Sequence, residues 1–168
     1  MRIRESARLV IVDEQGRVLM FKYEDKVALD PEQPDVTVYW ATPGGGLEDG
    51  ETFEQAALRE LWEETDIREA EIGPCLWTRE RKFIFYGEAV LSRERYFLVR
   101  VPTGDISLDN LLDNEWETFR GHYWWPHDEL RRSEEIFMPG SFSELLEPVL
   151  GGQLPREPFQ IDSSRVKG

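Results

Sequence analysis

TPGGGLEDGETFEQAALRELWEETDI, residues 42–67, concentrates glycine at one end and glutamate at the other. Thr52 opens a helix within it, because TFEQ has the capping-box form: the hydroxyl and Gln55 each satisfy a free backbone donor. At about 100° per residue, Leu58, Leu61, Trp62 and Thr65 share one face, which the pattern predicts to pack on a sheet. Glu60, Glu63 and Glu64 gather on the opposite side, one turn after Ala56 and Ala57. A charge run on a helix is ordinarily a solvated face, but this one works against helix stability. Glu60 and Glu64 repel at i, i+4, at a cost of roughly 0.2–0.5 kcal/mol. The acids also lie toward the helix C-terminus, where the macrodipole disfavours them, and Asp66 follows where a base would compensate. Clustered carboxylates make sense if hard divalent cations, Mg²⁺ or Mn²⁺, lie between them. Just upstream, Gly44, Gly45 and Gly46 follow Pro43, so bare backbone can approach a ligand. Alone, that triplet reads as no more than a permissive turn.

SARLVIVDEQGRVLMFKY reads as a hairpin, two apolar runs around DEQG. EDKVALDPEQPD, with two prolines, is a surface loop, and VTVYWATP is a strand leading into the glycines. Beyond the helix, EIGPCLWTRERKFIFYGEAVLSRERYFLVRVP holds strands with a turn near Tyr86–Gly87. TFRGHYWW suits another strand, PHDELRRS a helix started by Pro126, and SFSELLEPVLGG a further short helix. Strands interspersed with helices predict a mixed α/β or α+β domain with helices packed on a sheet. A single domain is expected over 1–153, with 154–168 a loosely ordered tail.

The chain has 168 residues, 40% of them hydrophobic and 12% aromatic, which argues against disorder. Twenty basic and 34 acidic side chains give a net charge of −14, which repels an extended nucleic acid. That charge still suits a phosphate substrate when divalent cations stand between the two. The single cysteine, Cys75, excludes an internal disulfide and a multi-cysteine zinc site, and neither histidine is near it in sequence. His122 and His127 lack metal-ligand spacing. No cleavable leader or membrane span is evident, so a cytoplasmic setting is expected, with monomer or homodimer left open.

The spacing of Gly45, five residues, Glu51, seven residues and then RELWEETDI from Arg59 to Ile67 closely resembles the Nudix box of the Nudix hydrolases (MutT-like). HYWWPHDEL and the first hairpin are also similar to that family. One position departs: Asp66 stands where the box usually has glycine, and Asp tolerates left-handed backbone, so altered capping is expected. The resemblance implies an α/β/α sandwich with a mixed sheet between helices. It implies a metal-dependent pyrophosphohydrolase that directs water onto phosphorus in a nucleoside diphosphate linked to X, a small-molecule nucleotide. By the same resemblance, Glu60, Glu63, Glu64 and the Gly44 carbonyl would bind Mg²⁺ or Mn²⁺. Arg59 would orient the carboxylates, and Glu51 would support that network or help hold a metal-bound water. The proton acceptor would be Glu63, Glu64 or Glu117, with Glu115 as a fallback.

Around this centre, Arg79 and Arg81 alternate in TRERK, as Arg93 and Arg95 do in SRERYF, so each pair can project from one strand face toward phosphate. Trp40, Tyr39 and Phe85 are candidate base-stacking surfaces, although strand aromatics more often belong to the core. Two rival functions stand beside hydrolysis: a non-catalytic nucleotide-binding regulator, and an isoprenoid diphosphate isomerase. The intact Arg59, Glu60, Glu63 and Glu64 disfavour the first; the place of Cys75, beyond the box helix, disfavours the second.

Overall fold

The computed structural model describes residues 1–28, 32–85, 87–102, 106–107 and 117–161, with the Phe85 side chain excluded. Alternating apolar residues from Arg2–Val12 (β1) and Val18–Glu24 (β2) form the expected hairpin. Its turn is closed by Asp13, whose Oδ1 accepts from the N–H groups of Gln15 and Arg17 at 2.9 Å. Val38–Ala41 (β3) leads into Gly44–Gly46 (β4), and Phe53–Thr65 (α1) follows under the Thr52–Gln55 capping box. The long antiparallel pair Cys75–Phe85 (β5) and Glu88–Arg100 (β6) comes next, then Phe119–Trp125 (β7), His127–Arg132 (α2), Phe137–Met138 (β8), Phe142–Leu150 (α3) and Phe159–Gln160 (β9). Tyr86, at the expected β5–β6 turn, lies outside the described residues.

The strands form a mixed sheet in the order β8-β3-β2-β1-β6-β5-β9, with β4 added to β1 and β7 to β2. The β1/β6, β3/β8 and β5/β9 pairs are parallel, and the remaining pairs are antiparallel. Period-two alternation sends Leu9, Ile11, Leu19, Phe21, Phe97 and Val99 to one core, closed by Phe53, Ala56, Ala57 and Leu61 of α1. Val10, Val12, Val18, Met20, Trp77 and Leu98 enter the other, closed by Leu130 of α2 and by Phe142, Leu146 and Val149 of α3. This is the expected sandwich, a mixed sheet between helices.

β1 and β2 register at one Cα pair, Val12↔Val18, after which β1 turns to β4 and β6 while β2 turns to β3 and β7. A cleft of about 640 Å³ opens where they part, lined by Tyr23 and Tyr39 from β2 and β3 and by Arg8, Arg79, Glu94 and Tyr96 from β1, β5 and β6.

Two expectations change. The end of the chain is more than a loose tail: β9 pairs with β5, the Ile161 N–H donates to the Thr78 carbonyl at 2.8 Å, and Ile161 is buried in the core. An apolar isoleucine after two prolines supplied the anchor; residues 162–168 lie outside the described residues. The packing face of α1 changes in part, since Leu61 and Thr65 are buried as expected but their two companions are not. Leu58 and Trp62 are exposed, whereas Glu60 and Glu64 are buried beside Ala56, Ala57, Leu61 and Thr65. The small alanines let the helix approach the sheet, and the carboxylates ride inward with them.

Candidate active site

Four elements converge on the acidic helix. The capping box fixes where α1 begins: Gln55 N–H donates to Thr52 Oγ1 at 3.1 Å, and Thr52 N–H donates to Gln55 Oε1 at 2.9 Å. One turn later, Arg59 spreads its planar guanidinium over its neighbours. Nε and Nη2 donate to the two oxygens of Glu51 at 2.8 and 2.9 Å. Nη1 donates to Glu60 Oε1 at 2.9 Å and to Glu63 Oε2 at 3.2 Å, and Nη2 also reaches the Gly46 carbonyl at 2.9 Å. Only a rigid fork with five donors can satisfy so many acceptors in one plane. Arg59, with the Glu48 N–H at 2.8 Å, holds the Glu51 carboxyl down at about 2.

β4 is glycine for a spatial reason. A Cβ on Gly45 would lie 2.5 Å from Glu60 Oε1, so the carboxylate occupies the place of a side chain. Gly44 has φ +140° and is pressed against the Ala7 carbonyl of β1, which excludes any other residue. At the other end of α1, Asp66 adopts φ 59° and its N–H donates to the Trp62 carbonyl at 2.8 Å. Asp66 thus closes the helix left-handed, as a glycine would.

The donor set fits a hard cation. Glu60 is buried, its Oε2 accepts no hydrogen bond, and burial pushes its carboxyl above the usual range despite the Arg59 charge. Glu64 is buried beside it, and Glu63 lies at the rim of the same surface. Among the described residues, no three acidic, cysteine or histidine side chains are gathered as a cation site; Glu60 Oε1 and Glu63 Oε2 accept from Arg59 instead.

The surrounding candidates separate. Gly44, Gly45, Tyr39, Arg79, Arg81 and Glu117 all line the cleft. Trp40 does not: it lies in the core, edge-on to Trp125 at 5.2 Å, because adjacent strand residues face opposite ways and Tyr39 takes the cleft side. Arg95 also leaves the cleft, since its guanidinium covers the Phe53 ring at 4.1 Å beside α1. Arg93 is exposed and paired with Glu80 at 3.1 Å. Cys75 Sγ contacts the Trp77 carbonyl at 3.6 Å, away from the cleft lining. His127 begins α2 and lies 2.9 Å from the Ser143 carbonyl. Glu115 and the Phe85 side chain lie outside the described residues.

Sequence reading missed Arg4, Arg8 and Glu94, which line the same cleft. The signal was present in RIRESAR, where polar residues alternate along a strand just as they do in TRERK. Among the described residues, no helix is long and apolar enough to cross a membrane.

Comparison with known proteins agrees with this geometry. A NUDIX domain model matches residues 2–145. An RNA pyrophosphohydrolase of Wolbachia pipientis subsp. Culex pipiens (strain wPip) is 26% identical over 156 residues, 86% of this chain and 87% of that protein. A second, from Wolbachia sp. subsp. Drosophila simulans (strain wRi), is 30% identical over 125 residues, 67% of this chain and 74% of its own. In three dimensions the chain is similar to the MutT protein of Methanosarcina mazei Go1, with a TM-score of 0.61 at 19% identity, covering 90% of this chain and 95% of that one. With a matching domain over most of its length and an arginine-bound glutamate helix packed on a glycine strand, this chain belongs to the Nudix family, as a hydrolase of pyrophosphate bonds.

Proposed function

We propose that the chain is a divalent-cation-dependent pyrophosphohydrolase whose substrate is a nucleoside diphosphate linked to a further group. The observation that carries this reading is the Arg59 network, which fixes Glu51, Glu60 and Glu63 beside a glycine strand opening onto a cleft. Glu60, Glu63, Glu64 and the Gly44 carbonyl are the ligands for Mg²⁺ or Mn²⁺. When bound, the cation screens phosphate charge and makes water a better nucleophile. Arg59 positions the carboxylates without touching substrate. Gly44 and Gly45 let the phosphates approach backbone that side chains would block. Glu63, Glu64 or Glu117 accepts the proton of the attacking water; that Glu117 lines the cleft supports its candidacy. Arg79 and Arg81 hold anionic oxygens of the substrate.

The named relatives raise a second reading, an RNA end as substrate. The net charge of −14 favours a mononucleotide, since a long polyanion is repelled along its length. The test is phosphate release with Mg²⁺ from a panel of nucleoside triphosphates, nucleotide sugars, dinucleoside polyphosphates and a short RNA ending in a triphosphate. Turnover of a mononucleotide substrate, abolished by chelator, supports the proposal. Turnover that persists in metal-free buffer removes it, and turnover confined to the RNA replaces the substrate.

A further inference from the structure

Along β2 and β3, away from the glycines, the cleft holds a carboxylate that the Arg59 network does not use. The two strands register Phe21 with Ala41 and Tyr23 with Tyr39, and the Asp25 N–H extends the pairing by donating to the Thr37 carbonyl at 2.8 Å. Period-two alternation puts Ala41, Tyr23, Tyr39 and Asp25 on one side, and all four line the cleft. The Tyr39 hydroxyl donates to Asp25 Oδ2 at 2.8 Å and is, among the described residues, the one side chain that does so. Arg81 acts on this carboxylate only through its charge at longer range, and burial pushes the Asp25 carboxyl above its usual value. Satisfying one phenol requires no charge: a neutral amide oxygen would accept the same hydrogen bond without the cost of desolvating a carboxylate. Two apolar side chains flank the same opening from different segments, Val27 after β2 and Ile84 on β5, 77% and 41% exposed.

We propose that Asp25 is the specificity-determining residue for the nucleobase, and that it reads the edge of guanine on which the N1–H and the 2-amino group lie side by side. An ionised carboxylate only accepts, with lone pairs to spare on both oxygens, so it takes those two donors while Oδ2 keeps the Tyr39 hydroxyl. Adenine and cytosine set a ring-nitrogen acceptor beside their amino group, and uracil flanks its single N–H with carbonyl oxygens. Each of these turns a lone pair toward the carboxylate. An ammonium ligand is disfavoured because Lys26 and Arg81 line the same opening. Tyr23, Val27 and Ile84 supply apolar surface for the faces of the base. Asp25 follows Phe21 by four residues, roughly 13 Å at the usual rise, so a sugar can join a base held there to phosphates at the glycines. The placement of those phosphates rests on the function proposed above; recognition of the base does not.

Calorimetric titration of nucleoside monophosphates into the full chain, with chelator present, reads the base site without any pyrophosphate to cleave. GMP binds about tenfold or more tighter than IMP, which lacks only the 2-amino group, and tighter than AMP by at least as much. Asp25→Asn keeps an acceptor for Tyr39 but puts an N–H where a lone pair was. GMP therefore weakens about tenfold or more, and XMP, whose 2-oxo group accepts from that N–H, binds the variant better than the parent. A gain for XMP is a readout that a purely structural aspartate does not produce. No binding of GMP to the parent, equal affinity for GMP and IMP, or a GMP preference that survives Asp25→Asn overturns the proposal. A second arm compares kcat/KM for GTP and ITP with Mg²⁺: the parent prefers GTP, and Asp25→Asn abolishes the preference. Equal kcat/KM for the two in the parent would sink the base assignment and leave the hydrolase reading standing. An Asp25-dependent GMP preference without turnover of any nucleotide pyrophosphate would do the reverse.

Discussion

Arg59 donates to Glu51, Glu60, Glu63 and the Gly46 carbonyl together, so the geometry of the acidic cluster hangs on one planar cation. Lysine keeps the charge but presents a point with three rotatable donors, and it cannot hold these acceptors in register. Arg59→Lys therefore lowers kcat about 10–100-fold, as loss of an orienting partner usually does, with the fold retained by circular dichroism; near-parental kcat would make the arginine incidental. Glu51 supplies a pH signature. Its carboxyl is usually near 4.5 and is lowered to about 2 in the fold, first by the Arg59 hydrogen bonds and then by the Glu48 N–H. A depressed carboxyl contributes stability that is fully present above its unfolded value and lost as pH falls through its folded value. The melting-temperature gap between the parent and Glu51→Gln should be constant above about pH 5, shrink below that and close near pH 2. A gap that does not change with pH would place the Arg59 contact outside the stability of the fold.

At the scale of the element, α1 shows how far residue types alone can be read. Its start was legible because a capping box is a local device, and its end because Asp66 can adopt left-handed backbone. Its inner face was legible only in part: Leu61 and Thr65 are buried as expected. Apolar Leu58 and Trp62 suggested the packing side, yet Trp62 is 37% exposed while Glu60 is 5% exposed. Hydrophobic patterning assumes that charge faces water, and it fails where carboxylates are held inside by an arginine and a side-chain-free strand. In the same way, Trp40 and Tyr39 are equally aromatic, and only the strand register reveals that Tyr39 has the cleft. These burials set a paired expectation for denaturant unfolding. Leu61→Ala removes a fully buried side chain and costs about 2–5 kcal/mol, whereas Trp62→Ala, on the outer surface, costs about 1 kcal/mol or less. Equal losses would mean that the packing face is misplaced.

Over the whole molecule, a chain of net charge −14 gathers arginines into one cleft and turns its glutamates toward the strand beside it. The sheet topology makes this arrangement: β1 and β2 part after their hairpin, so one opening is walled by strands distant in sequence. That is why Arg79 and Arg81 were visible as an alternating pair, while their gathering with Arg8 and Glu94 was not. On the proposed function, the acids of α1 exist for cation-dependent catalysis rather than for the fold. Glu63→Gln separates the two roles, since it keeps shape and an acceptor for Arg59 while removing one charge from a repulsive cluster. The measurement is its Mg²⁺-dependent turnover of a nucleotide pyrophosphate, taken beside its melting temperature in metal-free buffer. The account predicts turnover lower by about 100-fold or more and a melting temperature within about 2 °C of the parent or above it. A variant that keeps its activity but melts well below the parent would contradict it.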